Sequence, residues 1–521
     1  MVRSTALATL GALSPALVAA VEYVSHPERT DAVKEAFQIS WDGYMDYAFP
    51  NDTLIPIAKT YLNDRNGWGA SAVDALSTAL IMGKNDIVKE IVEHIKTVNY
   101  NKTAPDQTTV SLFETTIRYL GGMLSGHDFL NGPFKGVVSD DDVKAILDKS
   151  VELAEALSVG FDTPSGVPVN DLIFNGPDGP VTADEATNGL ATIGTLVLEW
   201  THLSDLTGDD KYAELSQKGE SYLLNVKNPE VGEPYPGLVG TNVYVDNGTF
   251  ADSTGGWNGG TDSFYEYLIK MYLYDPSRFE LYKDRWTAAV DSTIEYLTSH
   301  PTSRPDLTFV AYYTGAGKDK LRFLSSHLAC FNGGNIILGG LTLDKQEYID
   351  YGLELVNGCH DTYASTETGI GPESFEWQDN SVATNASNNG AAPSDQAAFY
   401  KESGFWIDSS YYIQRPEVVE SYYYAYRATG DTKYQDWAWD AFVNINETTR
   451  AGAGYAGLTD VNAPDGGSFD DQQQTFWFAE FLKYAYLIQA PDAEYQVNSN
   501  HDNKWVFNTE AHPVKVAGTP S

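Results

Sequence analysis

The chain has 521 residues, enough for one large domain or about three average ones, and its 72 acidic against 33 basic side chains give a formal charge of −39. A field of that sign repels a phosphate backbone, which argues against nucleic-acid partners; it suits a secreted protein that stays soluble in mildly acidic surroundings. Apolar residues make up 42% and aromatic residues 13%, with 33 Tyr, 22 Phe and 11 Trp, so a large core is attainable with rings to spare. Sugar-binding clefts set such rings against pyranose faces, although packing accounts for most single ones.

Residues 1–20, "MVRSTALATLGALSPALVAA", join a lone Arg3 to an apolar stretch with a small-residue end, the pattern of a signal peptide cut after Ala20. A membrane anchor is the rival reading, but Ser4, Thr5, Thr9, Ser14 and Pro15 leave the span short and weak. No other stretch is apolar enough to span, so residues 21–521 are expected to be secreted without a membrane anchor. Five N-x-[ST] sequons, at Asn51, Asn101, Asn247, Asn385 and Asn446, agree with export. The two cysteines, Cys330 and Cys359, either close one loop in an oxidising compartment or remain buried thiols.

Most of the chain carries apolar residues at helical spacing, as in "AVKEAFQISWDGYMDYA", "AVDALSTALIMG", "SVELAEALSVGF", "SFYEYLIKMYLY", "VESYYYAYRATG" and "FWFAEFLKYAYLIQA". Extended candidates are few: "TNVYVDNGTF", "LTFVAYYTGAG" and "KWVFNTEAHPVKV". Short breakers recur between helices: "LIMGKNDIV", "LSGHDFL", "LTGDDKY", "YLYDPSRF", "LTLDKQEY", "RATGDTKY" and "IQAPDAEY". They predict seven helical hairpins, spaced too irregularly for a solenoid and without a Pro/Ser-rich linker. The expectation is therefore a single domain over 21–521, closed into a toroid around a cavity. "WQDNSVATNASNNGAAPSDQAAF" reads as a surface loop.

Several carboxylates sit in apolar or aromatic company. Glu114 and Arg118 lie one turn apart in "SLFETTIRYLGGML", either a solvated i,i+4 pair or a catalytic acid placed by its arginine. Asp262 in "GGTDSFYEYLIK" could merely cap a helix. Glu417 and Glu420 in "RPEVVESYYY" share one helix face in a first turn, where the helix dipole also favours them. Glu373 lies in "GIGPESFEW" and Glu480 in "FWFAEFLKYAY", where an uncompensated charge is costly. GxSxG, HExxH, P-loop and Rossmann patterns do not stand out, and the nine histidines lack metal-ligand spacing; His327 in "SSHLACF" reads as packed. What remains is carboxylate chemistry, and paired carboxyls in an aromatic-lined toroid suit glycoside hydrolysis.

In order along the chain, "AFQISWDGYMDYAFPNDTLIP", "GWGASAVDALSTALIMG", "FETTIRYLGG", "DSFYEYLIK", "HLACF", "RPEVVES", "TFWFAEFLKY" and "FNTEAHP" resemble glycoside hydrolase family 47, the class I α-1,2-mannosidases, especially their secreted fungal members. The resemblance implies an all-α (α/α)7 barrel with minor β-hairpins, its C-terminal hairpin plugging one end. It implies a monomer that removes terminal α-1,2-linked mannose from high-mannose N-glycans with inversion. Glu114 matches the proposed general acid and Glu417 the proposed base. Asp262 matches a third essential carboxylate whose share of the acid role is open, and Arg118 a site arginine. His327, Arg415, Glu420, Phe476 and Glu480 match the mannose subsite, with Phe476 as the stacking ring; Glu373 matches a pocket carboxylate and Asp52 a polar site position. The family's ion is Ca2+, whose direct protein ligand matches Thr509, with waters held by Glu420, Glu480 and Glu510. Cys330 and Cys359 match a family disulfide. Gly260 stands where the endoplasmic-reticulum type has arginine, which implies broad trimming rather than removal of one branch residue. The competing class is a lectin-like quality-control protein; the full set of acid, base and calcium residues argues against it.

Overall fold

The computed structural model describes residues 21–518 except 106, 177, 178, 500 and 501; the expected signal peptide lies outside them. Fourteen helical segments form two concentric rings: α1 (Pro27–Tyr47), α2 (Ala70–Ile81), α3 (Asn85–Thr97), α4 (112–131), α5 (Asp140–Leu157), α6 (Val197–Thr207, after a short turn at Leu190–Gly194), α7 (Lys211–Leu224), α8 (Asp262–Tyr274), α9 (Glu280–Ser292), α10 (Phe331–Thr342), α11 (Gln346–Ala364), α12 (Glu417–Thr429), α13 (Lys433–Thr448) and α14 (477–487). The even-numbered helices each contact the next and α14 returns to α2, closing the inner ring. The odd-numbered helices pack outside them, with α1 against α14.

Sequence pattern decides which ring a helix joins. Every residue of α2 is buried, as expected for a helix covered on all sides, whereas α3 buries only Ile87, Val88, Ile91, Val92, His94 and Ile95, one stripe of an amphipathic surface helix. Inner helices approach closely where side chains vanish: a Cβ on Gly334 of α10 would lie 2.7 Å from the Tyr424 ring of α12. The α5 start carries a full capping box between Ser139 and Asp142.

Seven hairpins are present, but two predicted turns are not where the breakers put them. "LSGHDFL" lies inside α4, which runs on to Asn131. Gly126 is kept there by packing, since a Cβ would meet Leu76 at 2.4 Å, and Asp128 is satisfied by His202 at 2.8 Å rather than by a turn. "IQAPDAEY" does not join two helices either; the partner of α14 is α1, from the other end of the chain. The expected extended segments form strands, and further short strands appear, among them Thr53–Ile55 with Thr60–Leu62 and the three-stranded sheet Leu324–Ser326, Ser374–Glu376, Trp406–Ser409. These precede inner helices and so build the rim at the end where those helices start. No described helix is long and apolar enough to cross a membrane.

The C-terminal hairpin, Trp505–Phe507 paired with Pro513–Lys515, enters the bore of the ring. Its buried turn contacts α2 through His512 and Asp74, α4 through Asn508 and Ile117, α6 through Asn508 and Glu199, and α14 through Lys483 and the Ala511 carbonyl.

Cys330 and Cys359 form a disulfide tying the entry of α10 to α11. Cys359→Ala should cost about 3 kcal/mol of stability, read as a lowered melting temperature without a comparable loss of specific activity. Of the sequons, Asn101, Asn247 and Asn385 are exposed, whereas the Asn51 amide donates to the Ala48 carbonyl and Asn446 accepts from the Tyr455 hydroxyl, both half-buried. Glycopeptide mass spectrometry of protein made in a secretory host should find the first three occupied and Asn51 bare.

Candidate active site

The inner helices begin at the rim, so their first turns surround one cavity of about 350 Å³. α4 brings Glu114 and Arg118, α8 brings Asp262 and Glu266, and α12 brings Glu417 and Glu420, preceded by Arg415. Phe476 and Glu480 come from the start of α14, and Thr509 and Glu510 from the hairpin turn that forms the floor. Arg118 and Glu480 lie in π-helical turns, Thr116–Leu120 and Trp477–Phe481, a local widening that recurs at functional sites. With Gly260, eleven of the residues singled out from sequence therefore share one space.

Glu114 and Arg118 are not a solvated pair. Arg118 is buried, gives Nε and Nη2 to Glu114 at 2.9 and 2.8 Å, and turns Nη1 to Glu510 and to the Thr475 hydroxyl. Arg65 approaches Glu114 at 3.7 Å. Burial pushes Glu114 up, but Arg118 and Arg65 outweigh it and hold its carboxyl below the ordinary value.

Asp262 stands in the opposite condition. Burial first, and then Glu266 and Glu417, raise it to about 7 against the Ser263 N–H that binds its carboxylate. Thr261 at the cap position makes no side-chain cap, and Asp262 accepts the Ser263 N–H of the first turn while it lines the cavity. Glu417 is buried too, yet lies below the ordinary value because His327 Nδ1 stands 2.6 Å from it and Arg415 is near. An ionised Glu417 accepts from Nδ1–H, and Nε2 on the far side of the ring stands 2.7 Å from the Tyr363 hydroxyl.

His327 and Glu373 do not line the cavity. His327 stands behind Glu417, and Glu373 holds Arg415 by two hydrogen bonds of 2.6 Å while its backbone carbonyl accepts from the His327 N–H. Asp52 is also off the cavity. Its carboxylate accepts backbone N–H groups of Arg65, Gly67, Gly69 and Ala70 and the Tyr119 hydroxyl, so it folds the loop that carries Arg65. The Phe476 ring lies 5.7 Å from the Arg118 guanidinium.

The floor is crowded with acid. Burial and neighbouring carboxylates raise Glu420 and Glu480 well above the ordinary value and push Glu510 up to about 8 despite Arg118. Among the described residues no three His, Cys, Asp or Glu side chains close on one point as metal ligands. The donor set around Thr509 is all oxygen, and the carboxylates repel one another. That fits a hard divalent cation held through Thr509, with Glu420, Glu480 and Glu510 reaching it through water.

Residues 36–516 match glycosyl hydrolase family 47. The chain belongs to this family. The mannosyl-oligosaccharide alpha-1,2-mannosidase of Penicillium citrinum is 55% identical over 496 residues, 95% of this chain and 93% of that one. Mannosyl-oligosaccharide alpha-1,2-mannosidase 1B of Aspergillus oryzae is 56% identical with the same coverage. The solved alpha-1,2-mannosidase from Trichoderma reesei superposes with a TM-score of 0.91 at 50% identity, covering 95% of this chain and all of that one.

For this family 47 member, sequence reading missed Glu266, Arg65 and Asp74. Glu266 had a signal: it falls four residues after Asp262 and four before Lys270, its buried ion-pair partner. Asp74 had one too, a lone carboxylate in the apolar "AVDALSTALIMG"; Arg65 had none, because only the folded ring brings it to Glu114. His327→Ala removes the donor that keeps Glu417 ionised, so the Glu417 pKa rises. The acidic limb of the kcat/KM pH profile should then move to higher pH.

Proposed function

We propose that the protein is a secreted, Ca2+-dependent exo-α-1,2-mannosidase that trims high-mannose N-glycans, Man9GlcNAc2 towards Man5GlcNAc2, with inversion at the anomeric carbon. The single observation that carries this reading is the split in charge state among carboxyls facing one cavity: Glu417 held ionised and Asp262 raised to about 7. An inverting glycosidase needs such a pair, a base that activates water and an acid for the leaving oxygen.

Glu417, fixed by His327 and assisted by Arg415, takes the proton of the attacking water. Asp262 holds a proton near neutral pH and sits at the rim, in the first turn of α8, unlike the raised carboxyls of the floor, so the proton that passes to the leaving oxygen is assigned to it. Glu114, kept ionised at the rim by Arg118 and Arg65, orients the departing sugar or an intervening water. Phe476 offers the ring face, and Arg415, anchored by Glu373, cannot swing away from the sugar. Bound at Thr509, Ca2+ supplies a hard contact for sugar hydroxyls.

Gly260 lines the mouth, and space opens where its Cβ would be. An open mouth favours several branches as substrates, so the product series should run down to five mannoses without a pause at eight. The exposed sequons and the disulfide support export, and the deep concave cavity in a closed ring supports a monomeric exo-acting enzyme.

A time course by proton NMR on a nine-mannose glycan tests the reading. β-Mannose should appear first and cease with EDTA, and Glu417→Gln should lower kcat on the order of a thousandfold with the fold intact. α-Mannose as first product, or a glycan that binds in calcium without being cut, would refute it. Asp262→Asn should also remove the basic limb of the pH profile, whereas loss of that limb in Glu114→Gln alone would reassign the proton to Glu114.

A further inference from the structure

The turn that carries Thr509 has little backbone support of its own. Asn508 N–H donates to the His512 carbonyl and Ala511 N–H to that of Asn508, while Ala511 takes a left-handed φ of 56°. The Thr509 N–H reaches only a hydroxyl, that of Tyr267 at 3.2 Å. Beside the Arg118–Glu510, Lys483–Ala511 and His512–Asp74 contacts, one side chain both closes this turn and fastens it to two ring helices. Asn508 Oδ1 accepts from the N–H groups of Glu510 at 2.9 Å and His512 at 2.8 Å, closing the turn around itself. Its Nδ2 donates to the Ile117 carbonyl of α4 at 2.9 Å and to Glu199 Oε1 of α6 at 2.8 Å. The amide's two donors and two acceptor positions are all used, and it is buried.

The ring is shaped to receive this amide. A Cβ on Gly121 of α4 would stand 2.5 Å from Asn508 Nδ2, so a glycine in that turn of the helix is what lets the side chain lie flat against α4. Glu199 is fully buried and shares Oε1 between Asn508 and the Tyr267 hydroxyl, the same hydroxyl that receives the Thr509 N–H. Its other oxygen has no hydrogen-bond partner among the described residues.

We propose that Asn508 is the positioning residue of the cavity floor: seated on Gly121 and held by Glu199, its amide fixes the orientation of Thr509 towards the cavity and so sets calcium affinity. This rests on the reading of Thr509 as the calcium ligand. Asn508 itself is not among the residues that line the cavity.

Calorimetric calcium titration of metal-stripped wild type, Asn508→Ser and Gly121→Ala, with thermal melts in EDTA, tests it. Serine cannot span from the turn to both helices. Gly121→Ala alters no polar group and raises helix propensity, so it preserves the fold while displacing the amide. Both should weaken calcium binding, Asn508→Ser on the order of tenfold or more, and shift the EDTA melt less than the calcium-loaded melt. Unchanged affinity in the variants, or equal loss in both melts, overturns the proposal and leaves Asn508 a general stabiliser of the hairpin. If Asn508→Ser does not fold, Gly121→Ala decides alone. A wild type that takes up no calcium refutes the metal reading and this proposal with it.

Discussion

A buried ion pair between Arg118 of α4 and Glu510 of the C-terminal hairpin, 392 residues apart in sequence, joins the wall of the ring to its floor. Arg118 is also the partner of Glu114 at the rim and lies 3.6 Å from Asp74 of α2. One guanidinium thus serves three acids on three elements, and its planar fork is what makes that geometry available. The desolvation of such a charge is costly, and losing any one partner leaves the others uncompensated in a dry interior. The arrangement stabilises only as a whole, which couples the candidate acid at the mouth to the seating of the hairpin below.

The same economy of cations explains why the cavity's carboxyls differ so much. Glu114 beside Arg118 and Arg65, and Glu417 beside His327 and Arg415, are held below the ordinary value, whereas burial and neighbouring carboxylates raise Asp262, Glu420 and Glu480. Inner helices that start at the rim point the positive ends of their dipoles into the cavity, and Asp262, Glu417 and Glu420 sit in first turns where that helps most. The dipoles, Arg118, Arg415 and Lys270 offset only part of this acid, and the same burial lowers Lys483 to about 7.

How much of this is legible in the sequence depends on the range of the interaction. Amphipathic spacing separates α3 from the mostly apolar, wholly buried α2, so the hairpins and the all-helical class can be read locally. Gly126 and Asp128 mislead because a breaker's composition can equally be a packing notch against Leu76 and a partner for His202. The pairing of α1 with α14 joins the two ends of the chain and has no local signal. At the site, Glu114, Asp262 and Glu417 betray themselves as charges among apolar neighbours. Thr509 does not; it is an ordinary residue in a turn, and only the family resemblance nominated it. Asp52 shows the converse, a carboxylate with a site-like setting that folding spends on four backbone N–H groups.

The claim on which the account turns is that residues 505–515 belong to the core of the ring rather than to a trailing end. Native-state hydrogen exchange followed by mass spectrometry measures this directly. If the hairpin is held by Arg118, Lys483 and Glu199 from within the bore, its amides should exchange as slowly as those of α2 and α12, through global unfolding. Fast exchange in the hairpin beside a protected ring would mean that the floor forms and dissolves independently, and would contradict the account.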